Sequence, residues 1–128
     1  MANMNLMIDI KGYEGSNANT CNPNFGRNLQ YVGIDISDET VQEVTVAASA
    51  TVSLFSVATV DAKKFIYLEA SAECDITING GAEVTTIKPV IVGSAAKKAI
   101  YLLSADIESL SVTNNGATDL QVYFITAK

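Results

Sequence analysis

The amino-acid sequence predicts an all-β fold, an antiparallel β-sandwich of the jelly-roll type with an extended N-terminal arm. Apolar and polar residues alternate along most of residues 41–128, which is typical of strands that bury one face. Turn residues interrupt these stretches about every ten residues, and no segment has a convincing helical period. We therefore expect an arm at residues 1–40 and one β-sandwich domain at residues 41–128.

The first forty residues differ in composition from the rest of the chain. Seven of the ten Asn residues lie within residues 3–28, together with three Gly and one Pro. Because Asn and Gly tolerate left-handed conformations, residues 11–28 are predicted to form an irregular loop, followed by a short strand at 29–36. An Asn-rich arm of this kind is expected to lie on a neighbouring surface, either its own domain or another subunit.

Eight strands are predicted in the domain. They span residues 41–46, 51–57, 64–70, 73–78, 84–88, 98–104, 107–113 and 120–126. Most alternate strictly, but residues 65–68 and 100–103 are apolar on both faces. Such strands are expected at the centre of a covered sheet or at a contact between subunits.

Turn residues between these strands give further predictions. The sequences Asn79-Gly80-Gly81 and Asn114-Asn115-Gly116 are typical of hairpin turns with positive φ. Pro89 restricts residues 90–92 to an edge strand or a strand start. The lysine pairs 63–64 and 97–98 are interpreted as charges that protect edge strands from unwanted pairing.

Charge and composition indicate which partners to expect. Hydrophobic residues make up 48% of the chain and charged residues only 17%, against about 25% in a typical domain. A neutral surface of small residues suits burial in an assembly, although a soluble domain with a Thr/Ser face is an alternative interpretation. The net charge of −6 and the scattered basic residues predict no binding to nucleic acid or membranes. Neither a signal peptide nor a membrane span is expected.

Few residues are suited to catalysis or metal binding. The chain has no His and no Trp, and its Ser and Thr residues have no base beside them in the pattern, so we expect no enzyme, no cofactor and no metal. Asp35, Asp38 and Glu39 could in principle hold Ca²⁺ but are interpreted as solvated turn carboxylates. Cys21 and Cys74 are expected to be free thiols, with Cys74 facing the core; a disulfide is the alternative.

Tyrosines occur in several predicted strands, at positions 31, 67, 101 and 123. A row of tyrosines can stack against a carbohydrate, but tyrosine is also common at half-buried strand positions. Ordinary packing is the preferred interpretation.

Five segments of the domain carry a resemblance to a known class of proteins. They are VTVAASATVSLF at 44–55, FIYLEA at 65–70, DITINGG at 75–81, LSVTNNG at 110–116 and LQVYF at 120–124. Together they resemble small β-sandwich virion proteins of tailed bacteriophages, in particular capsid decoration (cement) proteins. The resemblance implies a protein made in the cytoplasm of the host bacterium that sits on the outside of the assembled head. There it bridges major capsid subunits, often as a trimer.

The residues expected to bind partners follow from the arm and from the two-sided strands. The arm is expected to grip the capsid, and the strands are expected to mediate self-association into an oligomer. The partner-binding residues are Asn3, Leu6, Ile8, Tyr13, Asn22, Phe25, Phe65, Tyr67 and Tyr101. Two alternatives are another phage structural component, such as a tail, baseplate or fibre-attachment protein, and a carbohydrate-binding module.

Overall fold

The computed structural model describes residues 2–12 and 25–128, which form eleven β-strands and one short 3₁₀ helix. The chain divides into two compact units, Met1–Ser37 and Asp38–Lys128.

The N-terminal unit contains two long antiparallel strands, β1 (Ala2–Gly12) and β2 (Phe25–Ile36), which we call the N-terminal ribbon. They pair from Ala2 opposite Ile36 to Gly12 opposite Phe25. A bulge opposite Asn5 contains Gly33, whose φ is +72° and whose N–H donates to Asn5 Oδ1 at 2.9 Å. The positive φ explains why glycine occupies this position.

The ribbon corrects part of the sequence prediction. Residues 11–12 and 25–28 are strand and not loop, and β1 was not predicted at all. The apolar residues of β1 do alternate, at positions 4, 6, 8 and 10, but Met7 interrupts the polar positions and asparagine, present twice, is uncommon in strands. The loop predicted at residues 13–24 lies outside the described residues.

The second unit is built from two antiparallel sheets that pack against each other, which confirms the predicted all-β sandwich. The four-stranded sheet has the order β4 (Thr51–Ser56), β10 (Ser109–Thr113), β6 (Cys74–Ile78), β7 (Val84–Ile87). The five-stranded sheet has the order β3 (Thr40–Val46), β11 (Leu120–Ala127), β5 (Lys63–Ala70), β9 (Ala95–Ile107), β8 (Pro89–Val92). The 3₁₀ helix, Thr59–Asp61, links β4 to β5.

The strand pairs of this unit are nested. The first strand, β3, pairs with the last, β11; β4 pairs with β10, β5 with β9, and β6 with β7. The remaining strand, β8, is added to the free side of β9 and forms one edge of the five-stranded sheet. Pro89 is its first residue, so the prediction that residues 90–92 lie at an edge is confirmed.

The core lies between the two sheets. The side chains that fill it are apolar and almost completely buried: Val46, Ile66, Leu68, Ala70, Cys74, Ile76, Ile87, Ala99, Ile107, Leu110, Val112, Leu120, Val122 and Phe124. Cys74 is among them, as the alternation with Ile76 and Ile78 predicted. Burial of these residues is the main force that holds the sandwich together.

One of the two predicted hairpin turns is confirmed. Asn79 and Gly80, with φ of 56° and 60°, lie in the turn between the paired strands β6 and β7.

The other hairpin, at Asn114–Gly116, was wrong because β10 and β11 belong to different sheets. Asn114 is buried there, and its amide nitrogen donates to the carbonyls of Val46 at 3.0 Å and Thr118 at 2.8 Å. Its Oδ1 accepts from Gly116 N–H at 2.9 Å. This asparagine therefore stabilises a crossing between sheets and not a tight turn.

The predicted role of the lysine pairs as edge guards is also wrong, because β5 and β9 lie inside the five-stranded sheet. Lys63 is buried at the start of β5, and its Nζ donates to the backbone carbonyl of Asp38 at 3.0 Å. Lys64 forms an ion pair with Asp106, and Lys98 forms one with Glu69 at 3.3 Å. A long side chain can bury its methylenes in a sheet and still reach a partner at the surface.

Candidate interaction surface

The surface of the five-stranded sheet that points away from the core carries several apolar side chains. Residues directly opposite on antiparallel strands share one face, and four apolar residues stand in register across four strands: Val41, Ile125, Tyr67 and Leu102. The next row contains Glu43, Tyr123, Glu69 and Ile100. We define the outer face as Val41, Tyr67, Ile100, Leu102, Tyr123 and Ile125.

Several members of the outer face are well exposed. Val41 is 60% exposed, Ile100 53% and Leu102 41%, whereas the other three are half-buried. With strands about 4.8 Å apart and rows about 7 Å apart, the two rows that hold the outer face, Glu43 and Glu69 included, cover on the order of 300 Å². Contiguous apolar patches of this size on a soluble protein often bind another molecule. The outer face is therefore the strongest candidate for a functional surface.

A small polar network lies within the outer face. The hydroxyl of Tyr67 donates to Glu69 Oε1 at 2.7 Å, and Lys98 Nζ lies 3.3 Å from Glu69 Oε2. The hydrogen bond to Glu69, together with burial, raises the pKa of Tyr67 to about 12. The hydrogen bond from Tyr67, helped by Lys98, lowers the pKa of Glu69 although burial opposes this. Because two partners hold the Glu69 carboxylate, contact with another protein would not leave this charge unpaired.

The residues predicted on β5 and β9 are separated by the alternation of the strands. Tyr67 belongs to the outer face, and Phe65, which is partly buried and lies opposite Ser104, is on the same side of β5. Tyr101 lies opposite Leu68 and packs against the core, where burial raises its pKa.

The exposed large apolar side chains of β9 are instead Ile100 and Leu102. The two-residue period places residues 100 and 102 on one face of β9 and residues 101 and 103 on the other, but only the pairing of Tyr101 with Leu68 shows which face is turned away from the core.

The N-terminal ribbon has a second apolar surface. Leu6 lies opposite Tyr31 and Ile8 opposite Leu29, so these four side chains share one face. Met4, Ile10 and Ile34 continue it by alternation, and Arg27, opposite Ile10, places a charged residue at its end. We call this set the ribbon face: Met4, Leu6, Ile8, Ile10, Leu29, Tyr31 and Ile34.

The opposite face of the ribbon is more polar. It carries Asn3, Asn5, Asp9, Lys11 and Gln30 beside the exposed Met7, and Asp9 pairs with Lys11 at 3.1 Å.

The other residues of the arm that were predicted to bind partners are not members of the ribbon face. Phe25 begins β2 opposite Gly12, whereas Tyr13 and Asn22 lie outside the described residues.

A recess of about 360 Å³ lies beside the turn between β6 and β7. Its lining consists of Ile76, Ile78, Gly81, Ala82, Glu83 and Thr85. It contains one ionisable side chain and no aromatic ring among these residues, so it does not resemble a site that stacks a sugar or positions a substrate.

Among the described residues, neither a metal site nor a reactive thiol is a stronger candidate for a functional site than the outer face. Across residues 2–12 and 25–128, no group of three or more His, Cys, Asp or Glu side chains could hold a metal ion. The same residues contain no helix of the length and hydrophobicity needed to cross a membrane. Burial, helped by Asp75 and Glu73, raises the pKa of the Cys74 thiol to about 11, which disfavours the reactive thiolate.

Comparison with protein-family models, with curated proteins and with solved structures finds no match.

Proposed function

We propose that this protein is a structural virion protein that binds the outside of a bacteriophage capsid and stabilises the contacts between major capsid subunits. The observation that carries the proposal is the outer face, a patch of exposed and half-buried apolar side chains that stand in register on four paired strands. The choice of a capsid as partner comes from the resemblance to decoration proteins. The proposed activity is binding without catalysis.

The order of the strands supports a jelly roll as the scaffold. A jelly roll has eight strands in two sheets that are joined as two Greek keys. The nested pairs β3 with β11, β4 with β10, β5 with β9 and β6 with β7 are those of a long hairpin rolled into two sheets, with β8 as an addition. Such a scaffold holds the residues of the outer face in fixed register.

The size of the outer face implies that the capsid is bound at two places. A stable protein interface buries about 800 Å² on each partner, which is more than the roughly 300 Å² of the outer face. The ribbon face is the natural second contact. A two-stranded ribbon is only marginally stable in water by itself, so a partner that covers its apolar face would stabilise it. We assign the ribbon face to the grip on the major capsid protein, as proposed from sequence for Leu6 and Ile8.

The stabilising effect follows from linkage. A protein that binds only where capsid subunits meet adds its binding free energy to the assembled shell and not to the dispersed subunits. Two contacts on one chain strengthen each other, since the first binding event raises the effective concentration of the second contact.

Binding to capsids tests the proposal. Capsids of the virus that encodes the chain, stripped of accessory proteins, are mixed with the purified protein and sedimented. We expect the wild type to co-sediment in hundreds of copies per head and to raise the temperature at which the capsid disrupts. A tail or baseplate component would instead be found in few copies and would not bind heads. Failure of the wild type to bind any part of the virion would refute the structural role.

Substitutions with matched controls locate the two contacts. Leu102→Glu on the outer face and Leu6→Glu on the ribbon face should each weaken binding at least tenfold, because each puts a carboxylate into an apolar contact. Val84→Glu, at an exposed position of the other sheet, and Met7→Glu, on the opposite face of β1, should bind like the wild type. Equal loss in a variant and its control would mean that the assigned surface is wrong.

A further inference from the structure

The edge strand β8 differs from the other edges of the two packed sheets in its run of exposed apolar side chains. Its residues Val90, Ile91 and Val92 are consecutive apolar residues that are 49%, 62% and 58% exposed. Among the described residues β8 pairs only with β9, so the backbone groups on its other side have no strand beside them. Natural proteins usually protect such an edge with charges, and here the chain is uncharged from Pro89 to Ala96.

The strand is held in a fixed conformation for pairing. It is joined to β9 by a two-residue turn, Gly93-Ser94, between the paired residues Val92 and Ala95. Gly93 has a φ of +63°, as a type II′ hairpin turn requires at its first central position. The ordering of β8 is therefore complete before any partner arrives, which lowers the entropic cost of adding a strand.

We infer that β8 is a contact between two copies of this chain, in which the two β8 strands pair antiparallel about a two-fold axis at Ile91. A two-fold contact requires a surface that is complementary to itself. The sequence Val90-Ile91-Val92 reads the same in both directions, so Ile91 lies opposite Ile91 of the second copy and each Val90 lies opposite a Val92. Apolar and β-branched residues directly opposite each other stabilise antiparallel pairs.

Charge also favours a second copy as the occupant. In this register Lys88 lies opposite Ser94 of the second copy, so the nearest charges on the two strands do not face each other. Pro89, which lacks an N–H, falls at the end of the paired segment opposite Gly93, where its missing donor costs least. The two five-stranded sheets become one continuous sheet of ten strands.

The contact is expected to be weak in isolation. About five residues from each copy bury much less than the roughly 800 Å² of a stable interface, so we expect a dissociation constant on the order of 100 µM. A two-fold contact predicts a dimer, in contrast to the trimer that the resemblance to decoration proteins implies. It uses neither the outer face nor the ribbon face and does not depend on binding to a capsid.

Sedimentation equilibrium over a range of concentrations tests the inference. The average mass should rise from one chain, 13.5 kDa, to twice that value, and Ile91→Lys should remain monomeric at all concentrations. Val84→Lys, which adds the same charge at an exposed valine of β7, should dimerise like the wild type. The inference is overturned if the wild type stays monomeric up to about 1 mM or forms trimers. It is also overturned if the Ile91→Lys variant dimerises as strongly as the wild type.

Cysteine cross-linking tests the register. In a Cys21→Ser background, Ile91→Cys should form a disulfide-linked dimer under mild oxidation, because the two residues 91 are directly opposite. Val90→Cys alone should not, but a mixture of Val90→Cys and Val92→Cys should. Cross-linking that does not depend on position would contradict the two-fold axis at Ile91. Capsid binding by Ile91→Lys is measured separately, so failure of this inference and failure of the proposed function can be told apart.

Discussion

Asn114 provides the most direct test of how the two sheets are joined. Its side chain makes three hydrogen bonds, to the carbonyls of Val46 and Thr118 and from the N–H of Gly116, and it is only 2% exposed. Its own N–H donates to the carbonyl of Ala50 at 2.9 Å. The residue thereby connects the chain between β10 and β11 to the end of β3. Asn114→Ala removes the three side-chain bonds and leaves the backbone bond in place.

The expected loss of stability can be derived from these bonds. Each contributes about 1 kcal/mol net, and the Val46 carbonyl loses the partner that the Asn114 amide provides, so the free energy of unfolding should fall by about 3 kcal/mol. For a protein of this size that corresponds to a decrease in Tm of roughly 10 °C. Urea unfolding followed by circular dichroism measures the free energy, and a calorimetric scan measures the Tm.

Two further variants make this result specific. Asn115→Ala removes one exposed hydrogen bond, to Asp75, and should change the free energy by less than about 0.5 kcal/mol. Asn114→Asp keeps the acceptor but places a carboxylate against two carbonyls, so it should destabilise at least as much as alanine. A loss below about 1 kcal/mol for Asn114→Ala, or an equal loss for Asn115→Ala, would contradict the proposed role of the buried amide.

Three other predictions concern single side chains. Tyr67→Phe should raise the pKa of Glu69, because it removes the largest cause of the lowered value; a carboxyl NMR titration that shows no change would be inconsistent with the hydrogen bond. In the wild type the stabilisation by Glu69 is complete above its unfolded pKa of about 4.5 and is lost as the pH falls through the lower folded value. With Cys21 replaced by Ser, Cys74 should be alkylated at pH 8 roughly 100-fold more slowly than an ordinary thiol, because its pKa is about 11 and not 9.0. A fast reaction would show that the thiol is accessible. Gly80→Ala should lower the free energy of unfolding by about 1 kcal/mol, because φ is +60° there, and urea unfolding with an unchanged midpoint would argue against this conformation.

The sequence was sufficient for the fold class because strands repeat their pattern locally. The alternation of Cys74, Ile76 and Ile78, for example, identifies the buried side of β6 without any knowledge of its neighbours. The same holds for the edge position of residues 90–92, since Pro89 cannot donate to a ladder.

Pairings between distant strands could not be predicted in this way. Asn114 has the sequence context of a hairpin turn, and only the position of β11 in the other sheet makes it a buried cross-link. The lysines of β5 and β9 similarly needed the strand order before their roles could be assigned.

The outer face was predicted only in part. Residues 65–68 and 100–103 were recognised as apolar on both sides, and Tyr67, one of the predicted partner-binding residues, lies half-buried on the outer face. Val41, Tyr123 and Ile125 were not predicted, because their place beside Tyr67 depends on the register of β3, β11 and β5. A surface made from several strands is a property of the pairing and not of any one segment.

The position of β11 also determines when the second unit can fold during synthesis. Residues 120–127 lie between β3 and β5 in the five-stranded sheet, so the first strand of the unit has no neighbour in its sheet until nearly all of residues 38–128 have left the ribosome. Loops this long close slowly, because the chain loses conformational entropy before the contacts between its distant ends can form. The other strand pairs can form earlier, but β3 and one side of β5 stay unpaired until β11 arrives, so we expect a chain truncated before residue 120 to lack a complete five-stranded sheet.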